Sequence, residues 1–204
     1  MFFSFDGVDG VGKTTQIDLF CDWLRERGHD VVTCRDPGST GLGEVLRTIL
    51  LNRHDLSIDR RSEMLIYMAA RAQLVAEIIR PALQTGKTVV SDRFLLANVV
   101  YQGHAGGVPV ENVWQVGTVA VAGEYPSLVL LLDMTVEDAE ARRGREPDRM
   151  EGQGLDYLRR VRDGFLEEAR RRPTEIAVIN AARTVDEVQA DIRAAAERVL
   201  RESR

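Results

Sequence analysis

Apolar positions along the chain alternate between two patterns. Short runs of strand length occur at Phe2–Phe5, Asp30–Cys34 (with Val31 and Val32), Thr88–Ser91 (Val89, Val90), Leu128–Leu132 and Glu175–Ile179 (Ile176, Val178, Ile179). The segments between them show helical spacing. Ile17, Phe20, Cys21 and Leu24 fall at i, i+3, i+4 and i+7, one face of a helix that stops near Gly28. Leu65, Met68, Ala69, Ala72, Ala76 and Ile79 form a second stripe that ends before Pro81 and Gly86. Val185, Val188, Ile192, Ala195 and Val199 form a third, its start capped by Thr184 or Asn180. All three stripes are expected in the core. Five short apolar runs alternating with helices predict an α/β fold in three layers, a five-stranded parallel sheet with helices on both faces. No repeat, low-complexity tract or linker interrupts the pattern, so one domain is expected over 1–204. One segment breaks it: Arg142–Gly154 (RRGREPDRMEGQG) is rich in charge, Gly and Pro, and reads as a short surface lid.

Composition narrows the function class. A formal net charge of -5 gives no attraction to a phosphate backbone, which argues against a nucleic-acid surface. The N-terminus has no basic n-region or long apolar stretch, and no run approaches the roughly 20 apolar residues of a membrane span. No membrane association and a cytoplasmic location are therefore expected. Cys21 and Cys34 belong to no C-x-x-C pair and read as buried free thiols in a reducing compartment.

The strongest chemical signal follows the first apolar run. Gly7-Val8-Asp9-Gly10-Val11-Gly12-Lys13-Thr14, with Thr15 behind it, fits G-x-x-x-x-G-K-[ST] between a strand and a helix. Glycines let the backbone curl so that N–H groups point at phosphate oxygens, and the helix N-terminus adds partial positive charge. Lys13 can reach the β- and γ-phosphates of a nucleoside triphosphate, and the Thr14 hydroxyl can ligate Mg²⁺. Asp9 is an acid inside a phosphate cradle, where it repels the ligand. It needs a positive reason: holding Mg²⁺, directly or through water, or accepting a sugar hydroxyl.

Further motifs follow in order: RDPGST at 35–40, DRF at 92–94, VYQG at 100–103 and DRME at 148–151, with Tyr67 and Arg71 in LIYMAARAQL. In open α/β sheets, ligands gather at the carboxyl ends of strands, so the first two segments face the same crevice as the phosphate loop. This series resembles the thymidylate kinases from Phe5 to the final helix. The resemblance implies ATP as donor, Mg²⁺ as metal, dTMP as acceptor and a homodimer. It implies that Tyr67 stacks on the thymine ring and that Arg71 hydrogen-bonds a base carbonyl. Asn98 and Gln102 then read the base edge, and Tyr101 packs under the deoxyribose against a 2′-hydroxyl. Arg93 and Arg47 clamp the acceptor phosphate, and Asp92 either supports the metal through water or fixes Arg93. Gly10 stands where some members carry a catalytic arginine. The resemblance then assigns that cation to the lid, which holds Arg142, Arg143, Arg145 and Arg149, with Arg145 or Arg142 the candidates.

The sequence also departs from the family pattern. Asp6 and Asp36 replace Glu, Ser39 replaces Gly, Ala97 replaces Ser and Ser127 replaces Asp. These departures leave open a kinase for another pyrimidine nucleotide or a small metabolite. A nucleotide-dependent regulatory ATPase would share the phosphate loop alone.

Overall fold

The computed structural model describes residues 1–53, 55–142 and 154–202. Among these, the apolar runs form strands β1 (Phe2–Asp6), β2 (Val31–Arg35), β3 (Thr88–Asp92), β4 (Leu128–Asp133) and β5 (Ile176–Asn180). They make one parallel sheet in the order β2-β3-β1-β4-β5. Each strand runs one residue past its apolar run and ends on a polar side chain: Asp6, Arg35, Asp92, Asp133 or Asn180. Register places these ends together, with Arg35 opposite Asp92 and Asp133 opposite Asn180. The chain moves to one side of β1 for β2 and β3 and to the other for β4 and β5. The loop leaving β1 therefore sits at the switch point.

Helices cover both faces, as a wholly parallel sheet requires. They are α1 (Lys13–Glu26), α2 (Gly41–Asn52), α3 (Arg60–Leu74), α4 (Arg80–Gln84), α5 (Leu95–Asn98), α6 (Val110–Val121), α7 (Val136–Arg142), α8 (Leu155–Arg171) and α9 (Val185–Glu202). Alternation along β1 sends Phe3 and Phe5 to one face, where both meet Phe20 of α1 edge-on. Phe2 goes to the other face and meets Phe94. Ser4 and Asp6 share that second face and are fully buried.

Helix α1 stops as expected. Gly28 takes a left-handed φ of 84°, its N–H donates to the Arg25 carbonyl and His29 N–H to the Leu24 carbonyl. For α9 the cap is Thr184: its N–H donates to Glu187 and its hydroxyl accepts from the Glu187 N–H, a capping box. Asn180 ends β5 instead. The third stripe is buried at Val188, Ile192 and Ala195, while Val185, in the first turn, is exposed.

The second stripe is corrected. Leu65 is 51% exposed, and Ala69, Ala72 and Ala76 are exposed with it. The buried face carries Met64, Met68, Arg71, Leu74, Val75 and Ile79. Two causes combine. Glu63 and Arg71 are charged yet buried, so polarity no longer marks the solvent face. A π-helical turn at Val75–Ile79 also adds a residue and shifts the phase from there on, which bears on Ala76 and Ile79 and not on Leu65, Ala69 or Ala72.

Cys21 and Cys34 are free and buried, and burial pushes their thiols up to about 11 and about 12. Among the described residues no helix is long and apolar enough to cross a membrane.

Candidate active site

The phosphate loop joins β1 to α1 through three glycines with positive φ: Gly7 (133°), Gly10 (91°) and Gly12 (90°). Two of these positions have no space for a side chain. A Cβ on Gly7 would lie 2.3 Å from the Leu132 carbonyl oxygen, and one on Gly10 only 1.9 Å from that of Ala139 in α7. The loop is thus pressed between β4 and α7, and Val8 and Val11 bury their side chains in the core. Lys13 is buried and donates to the carbonyls of Gly7 (3.1 Å) and Val8 (2.9 Å) and to Asp9 Oδ1 (3.3 Å). Burial and the neighbouring Arg93 lower its pKa. Thr14 and Thr15 stand exposed toward the cavity.

Arg93 reaches the loop from the end of β3. Its backbone sits at φ 65°, a left-handed conformation unusual for a residue with a side chain, tied by its N–H to the Phe5 carbonyl at 2.8 Å. That bend sends the guanidinium back over the loop. It donates to the Gly7 carbonyl (2.9 Å) and to both oxygens of Asp9 (2.9 and 2.8 Å), and it lies 5.2 Å from the Tyr101 ring centre. Burial disfavours its charge, but Asp9 and the surrounding acids outweigh this and hold its pKa well above the usual value. Asp9 therefore pairs with both Lys13 and Arg93.

Opposite the loop, a chain of buried polar groups forms the far wall. Arg71, 1% exposed, donates through Nε to Asp36 (2.6 Å) and through Nη1 to Asn98 Oδ1 (3.0 Å). Asn98 Nδ2 donates to Gln102 Oε1 (2.5 Å), and Gln102 Nε2 donates to Glu63 Oε1 (3.0 Å). A second π-helical turn, Val99–His104, carries Tyr101 and Gln102. Tyr157 of α8 holds that turn from behind, its hydroxyl donating to the Tyr101 carbonyl at 3.1 Å.

Loop and wall enclose one cavity of ≈500 Å³. Of the residues singled out from the sequence, Asp9, Gly10, Gly12, Lys13, Thr14, Thr15, Arg47, Tyr67, Arg71, Asp92, Arg93, Asn98, Tyr101, Gln102 and Arg142 all line it. Arg47 donates to the Pro37 carbonyl (2.9 Å), and Arg142, at the end of α7, to the Ala181 carbonyl (3.0 Å). Arg143, Arg145 and Arg149 lie outside the described residues.

A family model described as thymidylate kinase matches residues 5–192. The chain belongs to the thymidylate kinase family. The thymidylate kinase of Rhodopirellula baltica is 46% identical over 189 residues, 93% of this chain and 77% of the relative. That of Symbiobacterium thermophilum is 44% identical over 201 residues, 98% of this chain and 94% of the relative. The crystal structure of thymidylate kinase from Ehrlichia chaffeensis superposes with a TM-score of 0.78 at 29% identity, covering 97% of this chain and 98% of that one.

The departures from the thymidylate kinase pattern acquire physical content here. Gly10 cannot become an arginine without moving α7. Ser39 holds a left-handed φ of 64°, and its hydroxyl accepts from the Arg35 N–H at 2.9 Å, which offsets part of the strain. Asp36 is long enough to pair with Arg71 while its Oδ1 is left buried with no partner among the described residues. Burial raises the Asp36 pKa against the pull of Arg71. Ser127 Oγ accepts from the Phe2 N–H.

Glu63 escaped the sequence reading. Its signal was present: it precedes Tyr67 by four residues and Arg71 by eight, on the same helix face. An acid in the first turn of a helix ordinarily serves the helix dipole in water, and nothing in its spacing distinguishes a buried one.

Proposed function

We propose that this chain transfers the γ-phosphoryl group of ATP to dTMP, giving dTDP and ADP, within the cavity between the phosphate loop and the α3 wall. One observation carries the reading. Two separate sets of phosphate-type cations, Lys13 with the start of α1 and Arg93 with Arg47, share one cavity with a planar-ring and amide set, Tyr67, Arg71, Asn98 and Gln102. A hydrolase needs only the first set. A phosphorylated acceptor with a base needs all three.

In this reading the N–H groups of 7–14 and Lys13 bind the donor phosphates, and Lys13 stabilises charge on the migrating group. Arg93 and Arg47 aim the acceptor phosphate, since guanidinium–phosphate pairs fix direction as well as charge. Asp9 holds Arg93 and Lys13 in place before substrate arrives and then orients the sugar hydroxyl or the metal. Tyr101 excludes a 2′-hydroxyl by contact. Arg142 or Arg145, the latter outside the described residues, supplies the further cation that Gly10 does not. Little covalent chemistry is asked of the protein; positioning and charge supply most of the acceleration. The oxygen donors on the cavity wall fit Mg²⁺: exposed Thr14, Asp9, and Asp92, whose Oδ1 is buried with no partner among the described residues. When bound, Mg²⁺ would neutralise charge on the donor phosphates.

A homodimer fits the apolar surface. Val45 of α2, Leu65 of α3 and Val119 of α6 are 58%, 51% and 80% exposed on neighbouring helices. The two free thiols fit a reducing, cytoplasmic setting.

The test is ADP formation from Mg-ATP with and without dTMP. Turnover that depends on dTMP supports the reading. Hydrolysis at the same rate with and without it supports a regulatory ATPase instead.

A further inference from the structure

Glu63 lines no part of the cavity, is 1% exposed, and yet is charged in type. Burying a carboxylate is costly unless its oxygens are hydrogen-bonded, and an apolar side chain would fill the same space more cheaply. Its bond to Gln102 is the last link of the wall described above. The order of that chain is not arbitrary. An amide can present either its oxygen or its nitrogen, but a guanidinium can only donate and a carboxylate can only accept. Arg71 at one end therefore demands Asn98 Oδ1, and Glu63 at the other demands Gln102 Nε2. Between them the Asn98 Nδ2 to Gln102 Oε1 bond at 2.5 Å is the one arrangement that satisfies both.

We infer that Glu63 is a specificity-positioning residue: by anchoring Gln102, and Asn98 through it, it holds the amide pattern that selects the acceptor base. The inference rests on the base-edge reading of Asn98 and Gln102 given above. Its consequence is chemical. Arg71 presents only donors, and Asn98 beside it presents an oxygen with one lone pair in use. Side by side they match a base edge with a carbonyl next to a ring N–H, as in thymine. Cytosine offers the inverse, an amino group beside a bare ring nitrogen, and meets donor with donor and acceptor with acceptor. With Glu63 removed, Gln102 loses its acceptor and turns. Asn98 Nδ2 then loses its partner, and Asn98 is left with the Arg71 bond alone, which fixes its oxygen but no longer holds the amide from both sides.

The test compares kcat and KM for dTMP and dCMP in five variants, with thermal unfolding as the check on folding. Glu63→Ala is expected to raise KM for dTMP about tenfold with kcat nearly unchanged, and to lower the dTMP-over-dCMP preference by a similar factor. Glu63→Gln keeps an acceptor oxygen and is expected to restore both. Gln102→Ala is expected to cost at least as much as Glu63→Ala, and the double variant to be no worse than Gln102→Ala alone, because both break one chain. Unchanged preference in Glu63→Ala overturns the inference. So does a fall in kcat and thermal stability shared by Glu63→Ala and Glu63→Gln, the mark of a purely structural acid. If Glu63→Ala does not fold, Glu63→Gln with wild-type preference and Gln102→Ala without it support the inference, and any other pairing overturns it. Asn98→Ala separates the two levels. If it leaves the preference intact, the base-edge reading itself fails; if it abolishes the preference while Glu63→Ala does not, only the role of Glu63 fails.

Discussion

Asp6 joins β1 to the phosphate loop, and its replacement by Asn tests how that junction is charged. The side chain is fully buried and neither oxygen has a partner among the described residues. Burial raises its carboxyl pKa from 3.8 to about 8, with Arg93 and Lys13 pulling the other way. A carboxyl whose folded pKa exceeds its unfolded one binds its proton more tightly when folded. The stability it contributes is whole below about pH 4 and is lost as pH rises toward 8. Each pH unit in that window removes about 1.4 kcal/mol, so about 4 kcal/mol is gone at neutral pH. That is a large share of the 5–15 kcal/mol typical of a whole domain. Asp6→Asn keeps the shape, leaves the same unpartnered polar atoms and cannot ionise. Urea unfolding of both proteins across this range is therefore expected to give similar midpoints near pH 4 and a widening advantage for Asp6→Asn toward pH 8, with equal slopes. Parallel midpoints across the whole range would refute the claim that Asp6 is neutral in the fold.

Two further outcomes follow from the site. Arg93→Ala is expected to lower kcat/KM for dTMP by about two to three orders of magnitude while the protein still unfolds cooperatively, because the proposed clamp on the acceptor phosphate is lost. Near-normal turnover in that variant would remove Arg93 from the chemistry. Gly10→Ala is expected to cost at least about 2 kcal/mol in chemical denaturation and to weaken ATP binding, since its Cβ would overlap the Ala139 carbonyl at a left-handed φ. Wild-type stability would mean that α7 yields freely.

The sheet was legible in the sequence because fully buried parallel strands must be continuously apolar, and the runs at 2–5 and 128–132 are. Their boundaries slipped by one because the last residue of each strand is polar: Arg35 and Asp92 line the cavity, and Asp6 precedes the phosphate loop. The phosphate loop was legible for another reason: three left-handed backbone positions leave glycines behind, whatever the surroundings. Tyr67, Arg71, Asn98, Tyr101 and Gln102 were found through the family resemblance, and the fold draws them to one cavity. Periodicity alone misled on α3, where alanines fit either face and the buried face carries Glu63 and Arg71. The two π-helical turns leave no residue signature, because an i to i+5 bond asks nothing special of its side chains. Glu63 stayed hidden because its significance lies in hydrogen-bond direction, which only the assembled neighbours define.

The measurement that tests the central claim most directly is initial rate with Mg-ATP across a panel of acceptors: dTMP, dUMP, UMP, dCMP, CMP, AMP, GMP and thymidine. The account predicts strong ADP formation with dTMP, weaker turnover with dUMP, and little with the ribonucleotides, the cytosine and purine nucleotides or unphosphorylated thymidine. Faster turnover with any other acceptor of the panel than with dTMP would contradict it.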